Sequence, residues 1–436
     1  MASTADYSLT ASPGRPLAVA VRAAGCRIWT DDGREFIDAC GGAMVMSLGH
    51  SHPRLIEALK RQADEITFTY RFAFSNRPMI ELAELLREIS PLERSWSFFN
   101  SSGSESIESA IHLSLLYWQL QGQPSKVELI SRYPSYHGST MGALGLSGSK
   151  WRLPFELVLD KNAVAQTPNA DIRSHRTPEQ EIDFAVGEIE DAIAQRGQEH
   201  VAAVFLEPIT GASGAAVVPP DGYLERVRAV CDKNDVLMIC DETITGFGRT
   251  GTWFGVEHWT AQPDVITFGK GVTSGVVPFS GLVVAGDIAD VFMASPNGFP
   301  VGHTFSGYPL GCAVAAELVR TIRDEDLLAN ARAMGTRLRA GLDQIAAANP
   351  YVGQVRGLGL LQGMEFVEDR ESLEPRVGAS VRVTDLAREN GLMIYACPTP
   401  FGHRVIESIM LAPPLNITSA DIDRILERMA DAIGAA

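Results

Sequence analysis

This sequence predicts an α/β protein with a mostly parallel central sheet covered by helices, and three observations carry the prediction. Short apolar, β-branched-rich runs recur at residues 127–131, 201–207, 236–241 and 265–268. Continuous runs of this kind mark strands buried on both faces, as in a parallel sheet. Segments with helical apolar spacing alternate with them. Polar residues also stand where the runs stop: Glu207, Asp241 and, just past Phe268, Lys270. The carboxyl ends of such strands border the crevice in which open α/β sheets bind ligands.

Taken in order, the elements have local causes. The first part of the chain carries strand and turn signals (Cys26-Arg-Ile-Trp-Thr-Asp-Asp-Gly), and a helical period opens at Pro53. The run Phe98-Phe-Asn-Ser-Ser-Gly-Ser-Glu leads into a helix with Ile107, Ile111 and Leu115 on one face. Run 127–131 is followed by Tyr133-Pro-Ser-Tyr-His-Gly-Ser-Thr, an aromatic ring beside a glycine turn. After about residue 320 the alternation gives way to a helix over 327–347, strands over 359–366 and 408–411, and a last helix. That helix opens at Thr418-Ser-Ala-Asp, a threonine N-cap with a carboxylate three residues on. The expected division is 1–59, 60–320 (large domain) and 321–436, with no internal repeat or low-complexity linker.

At 436 residues the chain accommodates one large domain and a smaller one. A net charge of −16 with no offsetting Lys/Arg cluster argues against nucleic acid or an anionic membrane surface as partner. No apolar run approaches a membrane span, and Met-Ala-Ser-Thr-Ala-Asp at the N-terminus does not read as a secretion signal. The six cysteines lack metal-ligand spacing, so a cytoplasmic protein with reduced thiols and no metal is expected.

A lysine and a carboxylate at neighbouring strand ends are what pyridoxal phosphate needs: an amine for a Schiff base and an anion that keeps the pyridinium nitrogen protonated. Alone, Lys270 and Asp241 would equally suit a buried ion pair. Ser102, Gly103 and Ser104 stand at the start of a helix, where free N–H groups and the dipole favour phosphate; a plain serine N-cap with Glu105 in the first turn is the simpler alternative. Tyr136 could stack on a heteroaromatic ring or simply pack.

In this order the pieces resemble the class III aminotransferases, the ω-amino acid and amine branch of the fold-type-I pyridoxal phosphate enzymes. The likeness runs through Trp29-Thr-Asp-Asp-Gly-Arg-Glu-Phe-Ile-Asp, Gly49-His-Ser-His-Pro, Ser102-Gly-Ser-Glu, Tyr136-His-Gly and Glu207-Pro-Ile-Thr-Gly. It continues through Asp241-Glu-Thr-Ile-Thr-Gly-Phe-Gly-Arg-Thr-Gly, with Lys270 at 270 − 241 = 29 positions beyond, Gly302-His-Thr-Phe-Ser-Gly and Pro413-Pro-Leu. The resemblance implies a homodimer or tetramer with shared sites and a small α+β domain built from both ends of the chain. It implies Lys270 as Schiff-base and proton-transfer residue, Asp241 at the ring nitrogen, and Tyr136 and Thr243 on the two ring faces. His137 belongs to the cofactor turn and Glu207 to the network near the ring oxygen, although a cap or salt-bridge role for Glu207 stays open. Thr304 would reach the phosphate of the neighbouring subunit. Relatives often carry valine at the position of Thr243; an isostere, or a hydroxyl reaching ring or substrate, are both open.

Departures from the family pattern narrow the substrate. The 2-oxoglutarate-using members commonly have arginine after the aromatic-His-Gly turn, where this chain has Ser139. They also carry a glutamate near Gly211-Ala212, paired with an arginine that the stretch Ile409-Met-Leu-Ala-Pro-Pro-Leu lacks. Arg404, at 413 − 404 = 9 positions before Pro413, falls near the mobile arginine of the amine:pyruvate branch, and is otherwise a solvent-facing loop residue. Met44, Tyr70 and Phe72 match pocket positions, or pack. The resemblance therefore implies a transaminase moving an amino group from an amine or ω-amino acid to a small keto acid, pyruvate favoured. Decarboxylase, racemase or aminomutase chemistry, and a biosynthetic transaminase for a specialised ketone or aldehyde, are the alternatives; a cofactor-binding regulator without turnover is the third.

Overall fold

The computed structural model describes residues 17–160 and 162–436; the N-terminal stretch discussed above lies outside the described residues. Its centre is a seven-stranded sheet in the order Trp96–Asn100, Ser280–Val284, Val265–Phe268, Leu237–Asp241, Val201–Leu206, Glu128–Tyr133, Ala163–Gln166. Strand Ser280–Val284 runs antiparallel to both neighbours, and the pairs from Val265–Phe268 onward are parallel. The mostly parallel α/β sheet expected from the sequence is thus present. Every residue of Val201–Leu206, Leu237–Asp241 and Val265–Phe268 is buried, which is why these runs carry no polar alternation. One apolar cluster packs Ile107 and Ile111 of helix Gly103–Leu120 with Phe205, Ile239 and Val265 of the sheet.

Among the described residues, a segment early in the chain pairs with one late in it. Strands Ala20–Ala24, Arg27–Thr30 and Glu35–Asp38 form an antiparallel run, and Glu35–Asp38 pairs in parallel with Leu392–Met393, Ile37 opposite Leu392. Beyond residue 350, Val352–Leu358, Leu361–Phe366, Arg404–Leu411 and Tyr395–Ala396 build a five-stranded antiparallel sheet with Thr399–Phe401 at its margin. Both sequence-expected boundaries fall inside helices, Pro53–Glu65 and Pro309–Asp324. Buried residues stand along each of these helices, Leu55 and Ala58 in the first and Leu318, Val319 and Ile322 in the second. The last helix, Ser419–Gly434, is capped as its sequence predicts, Thr418 Oγ1 accepting from the Asp421 N–H at 3.2 Å.

The strand hairpin around Thr399–Phe401 reaches back to the large sheet. Thr399 Oγ1 donates to the Ser213 carbonyl at 2.8 Å, and the Tyr133 hydroxyl donates to the Pro400 carbonyl. These bonds roof the carboxyl ends of the central strands. Among the described residues no helix is long and apolar enough to cross a membrane, and all six cysteines are free and buried.

Candidate active site

Strand register assembles the centre of the site. Leu237–Asp241 lies beside Val265–Phe268 with Asp241 opposite Thr267, so the Thr267 hydroxyl donates to Asp241 Oδ1 at 3.0 Å. The Thr243 backbone N–H donates to the same oxygen at 3.1 Å, while Oδ2 stands 2.8 Å from His137 Nδ1. Burial pushes the Asp241 carboxyl up, but the His137 contact and the Thr243 donor outweigh it and hold the group below the usual carboxylate range. A buried carboxylate with this many partners stays an anion. Lys270, immediately after Val265–Phe268 and Gly269, has φ 39° and faces the crevice. Burial pushes its ammonium below the ordinary lysine range, and the attraction of Asp241 and Glu207 does not offset this. A weakened ammonium supplies a neutral, nucleophilic amine more readily.

The turn after Glu128–Tyr133 brings in Tyr136 and His137. Glu207 is buried; its Oε1 accepts from the Tyr136 N–H at 3.1 Å and Oε2 from the Gly211 N–H at 2.8 Å. Burial raises its carboxyl above the ordinary glutamate range. Gly138, with φ +146°, lets this turn touch the helix that follows Ser102: a Cβ there would sit 2.5 Å from Ser104 Oγ. Ser104 Oγ accepts from the Ser139 N–H at 3.0 Å, and the Tyr136 hydroxyl is 2.9 Å from Ser139 Oγ. Ser102 is the N-cap of Gly103–Leu120, its hydroxyl accepting from the Glu105 N–H at 3.3 Å. The plain serine cap, the simpler alternative read from the sequence, is thus present. Thr243 packs under the helix start, its methyl 3.2 Å from where a Cβ on Gly103 would lie. Ser280 anchors the junction, donating to the Ser102 carbonyl at 2.6 Å and accepting from Ser106 Oγ at 2.8 Å.

Two cavities meet at Lys270. One of about 270 Å³ is lined by Ser101, Ser102, Gly103, Lys270 and Thr273, at the helix N-terminus. The other, about 300 Å³, is lined by Met44, Tyr136, Lys150, Lys270, Tyr395 and Thr399 among others. An elongated molecule with an anionic end at Gly103 and an aromatic body beside Tyr136 fits this pair, with Lys270 between. The sequence did not signal Ser149, Lys150, Thr267, Tyr395 or Thr399. Four of them, all but Thr267, join Lys270 at one cavity only through the chain's long-range folding, and a Lys-Trp pair opening the short 3₁₀ helix Lys150–Phe155 carries no motif.

Four expected residues lie elsewhere. Arg404, at the start of Arg404–Leu411, makes a two-pronged ion pair with Glu374, Nε–Oε2 3.0 Å and Nη2–Oε1 2.8 Å, and does not line the cavity. Tyr70 and Phe72 are 59% and 72% exposed, their rings 5.6 Å apart. Phe305, next to the exposed Thr304, packs edge-on to Phe68 at 5.9 Å. Within one chain Tyr70, Phe72 and Thr304 are thus exposed and do not line the cavity.

A carboxylate kept anionic behind a lysine with a weakened ammonium, at the carboxyl edge of this sheet, is what the fold-type-I pyridoxal phosphate enzymes require. Comparison makes the family definite. The class III aminotransferase family model matches residues 10–433. A diaminobutyrate–2-oxoglutarate transaminase of Halomonas elongata is 33% identical over 98% of this chain and 92% of its own length. A putrescine–pyruvate aminotransferase of Pseudomonas aeruginosa is 32% identical over 94% of this chain and 88% of its own. The crystal structure of an omega transaminase from Pseudomonas jessenii in complex with PMP superposes with a TM-score of 0.89, at 33% identity over 96% of this chain and 92% of that one. The chain belongs to the class III aminotransferases: it is an aminotransferase, and its cofactor is pyridoxal phosphate.

Proposed function

We propose that this enzyme transfers an amino group from an amine or ω-amino acid to a small keto acid, with pyruvate preferred over 2-oxoglutarate. The observation that carries the preference is the cavity wall. Among the described residues it offers two cations, Lys150 and Lys270, and no arginine. An acceptor with two carboxylates calls for two cationic partners besides the reacting lysine, since a buried unpaired carboxylate is costly. Relatives of similar identity divide between the acceptors, one named for pyruvate and one for 2-oxoglutarate, so likeness alone does not choose.

When bound, pyridoxal phosphate supplies an electron sink for the bond-breaking at the substrate carbon. The residues of the chain do the rest. Gly103 and Ser102 offer N–H and hydroxyl donors to the phosphate at a helix N-terminus. Asp241, fixed by Thr267, Thr243 and His137, would hold a negative charge against the ring nitrogen and thereby keep a proton there. Tyr136 and Thr243 would confine the ring between them, and Glu207 fixes the Tyr136 backbone. Lys270 would be the cofactor-linking amine and, once freed, would serve as base at the substrate carbon and as acid on the cofactor side. Met44 narrows the substrate end of the cavity.

The preference is tested with the aminated enzyme, by single-turnover rates against each keto acid. Pyruvate should give a kcat/KM at least about tenfold above that of 2-oxoglutarate, the effect of one unpaired carboxylate at about 1.5–3 kcal/mol. An equal or reversed ratio overturns the preference.

We also propose a homodimer in which the face carrying Tyr70, Phe72 and Thr304 completes the partner's site. The exposure of these aromatics supports it, because large apolar rings grouped on a surface mark an interface. Mixing inactive Lys270→Ala chains with inactive Thr304→Asp chains should restore part of the activity, since one of the two sites in a mixed dimer receives both a sound lysine and a sound threonine. No recovery after demonstrated subunit exchange would return Thr304 to its own chain.

A further inference from the structure

We propose that Lys150, together with the hydroxyl of Ser149, is the subsite that takes the carboxylate of the substrate; the proposal rests on the amine-to-keto-acid reading above and gives its carboxylate a partner. The cavity beside Lys270 is lined by Ser149, Lys150, Trp151, Tyr136 and Tyr395, and by no acidic residue among the described residues. Its electrostatics are therefore those of a site for an anion. Two observations single out this pair. Ser149 is only 6% exposed, and its Oγ is buried without any hydrogen-bond partner. A buried hydroxyl left unpaired is unusual. Lys150, next to it, has no ion pair or hydrogen bond among the described residues, and its Nζ lies 5.2 Å from the centroid of the Trp151 ring. An ammonium and a hydroxyl lining one cavity provide the charge-assisted and the neutral donor that a carboxylate's two oxygens accept.

The pair is also held in place. Gly148 N–H donates to Ser135 Oγ at 2.9 Å, and Ser135 N–H to the Gly148 carbonyl at 3.0 Å. The His137 N–H donates to Ser147 Oγ at 2.8 Å. Ser147 and Gly148 are thereby laced to the turn that carries Tyr136, which fixes the chain just before Ser149 and Lys150. Arg404 is differently situated: both prongs of its guanidinium are engaged by Glu374, and it stands outside the cavity lining.

The test uses propanoate, which has the size and charge of pyruvate but no carbonyl to react, titrated calorimetrically into the holoenzyme. Lys150→Met should weaken its binding roughly tenfold or more, Ser149→Ala by a smaller factor, and Lys150→Arg should keep binding within about threefold of the native protein. Arg404→Ala should bind propanoate like the native enzyme. In single turnovers of the aminated enzyme, the loss in kcat/KM caused by Lys150→Met should be at least about tenfold greater for pyruvate than for propanal, which lacks the carboxylate. Native-like propanoate affinity in Lys150→Met, absence of propanoate binding in the native enzyme, or equal losses with pyruvate and propanal would each overturn the assignment. A loss confined to Arg404→Ala would move the subsite to that arginine. Binding is read without turnover, so an enzyme that binds propanoate through Lys150 yet aminates no keto acid would refute the functional reading and leave the subsite standing.

Discussion

Lys270→Ala is expected to lose transaminase turnover by at least about three orders of magnitude, because one side chain is both the cofactor-linking amine and the proton carrier. The protein should fold normally: Lys270 faces the crevice, and the strand before it, Val265–Phe268, is fixed by pairing on both edges. Pyridoxal phosphate should still be retained in part, since the donors at Ser102 and Gly103 are untouched. Steady-state turnover and cofactor content after gel filtration check both halves. Turnover near that of the native enzyme would remove Lys270 from the reaction.

Asp241→Asn is expected to lower the rate of amine deamination by roughly two to three orders of magnitude, the scale of losing a preorganised charge at the reacting group. The substitution keeps the shape, and the donors from Thr243 and Thr267 still have a carbonyl oxygen to meet. What disappears is the negative charge facing His137 and the cofactor. Asp241 is held below the ordinary carboxylate range, so acidifying the native enzyme through the usual aspartate range should not reproduce the defect. Stopped-flow single turnovers with a simple amine measure the effect, and an unchanged rate would show that the ring nitrogen is governed by another group.

The residues that were legible in the sequence are those placed by local rules. Asp241 and Lys270 end apolar runs, and a parallel sheet puts all such ends in one crevice. Ser102 announces itself by standing before a helical period. Thr267 was not legible, since its bond to Asp241 depends on the register between two strands 26 residues apart. Lys150 and Tyr395 reach one cavity from distant parts of the chain, a coincidence created by the hairpin that docks through Thr399 and Tyr133. Arg404 could be located within the chain, but its partner Glu374, 30 residues away, could not. Residues 59 and 320 each lie within a helix, Pro53–Glu65 and Pro309–Asp324, whose ends local composition marks only loosely.

The central claim is amino-group transfer to a keto acid, and the most direct measurement follows the cofactor's absorbance through the two half-reactions in turn. An amine alone, added to the holoenzyme, should convert the bound cofactor to its aminated form in one-to-one yield, releasing the matching carbonyl compound. Pyruvate added next should restore the original spectrum and yield alanine. Carbon dioxide release, or racemised or rearranged amine with the spectrum unchanged, would contradict the account and assign the same site to a different bond cleavage.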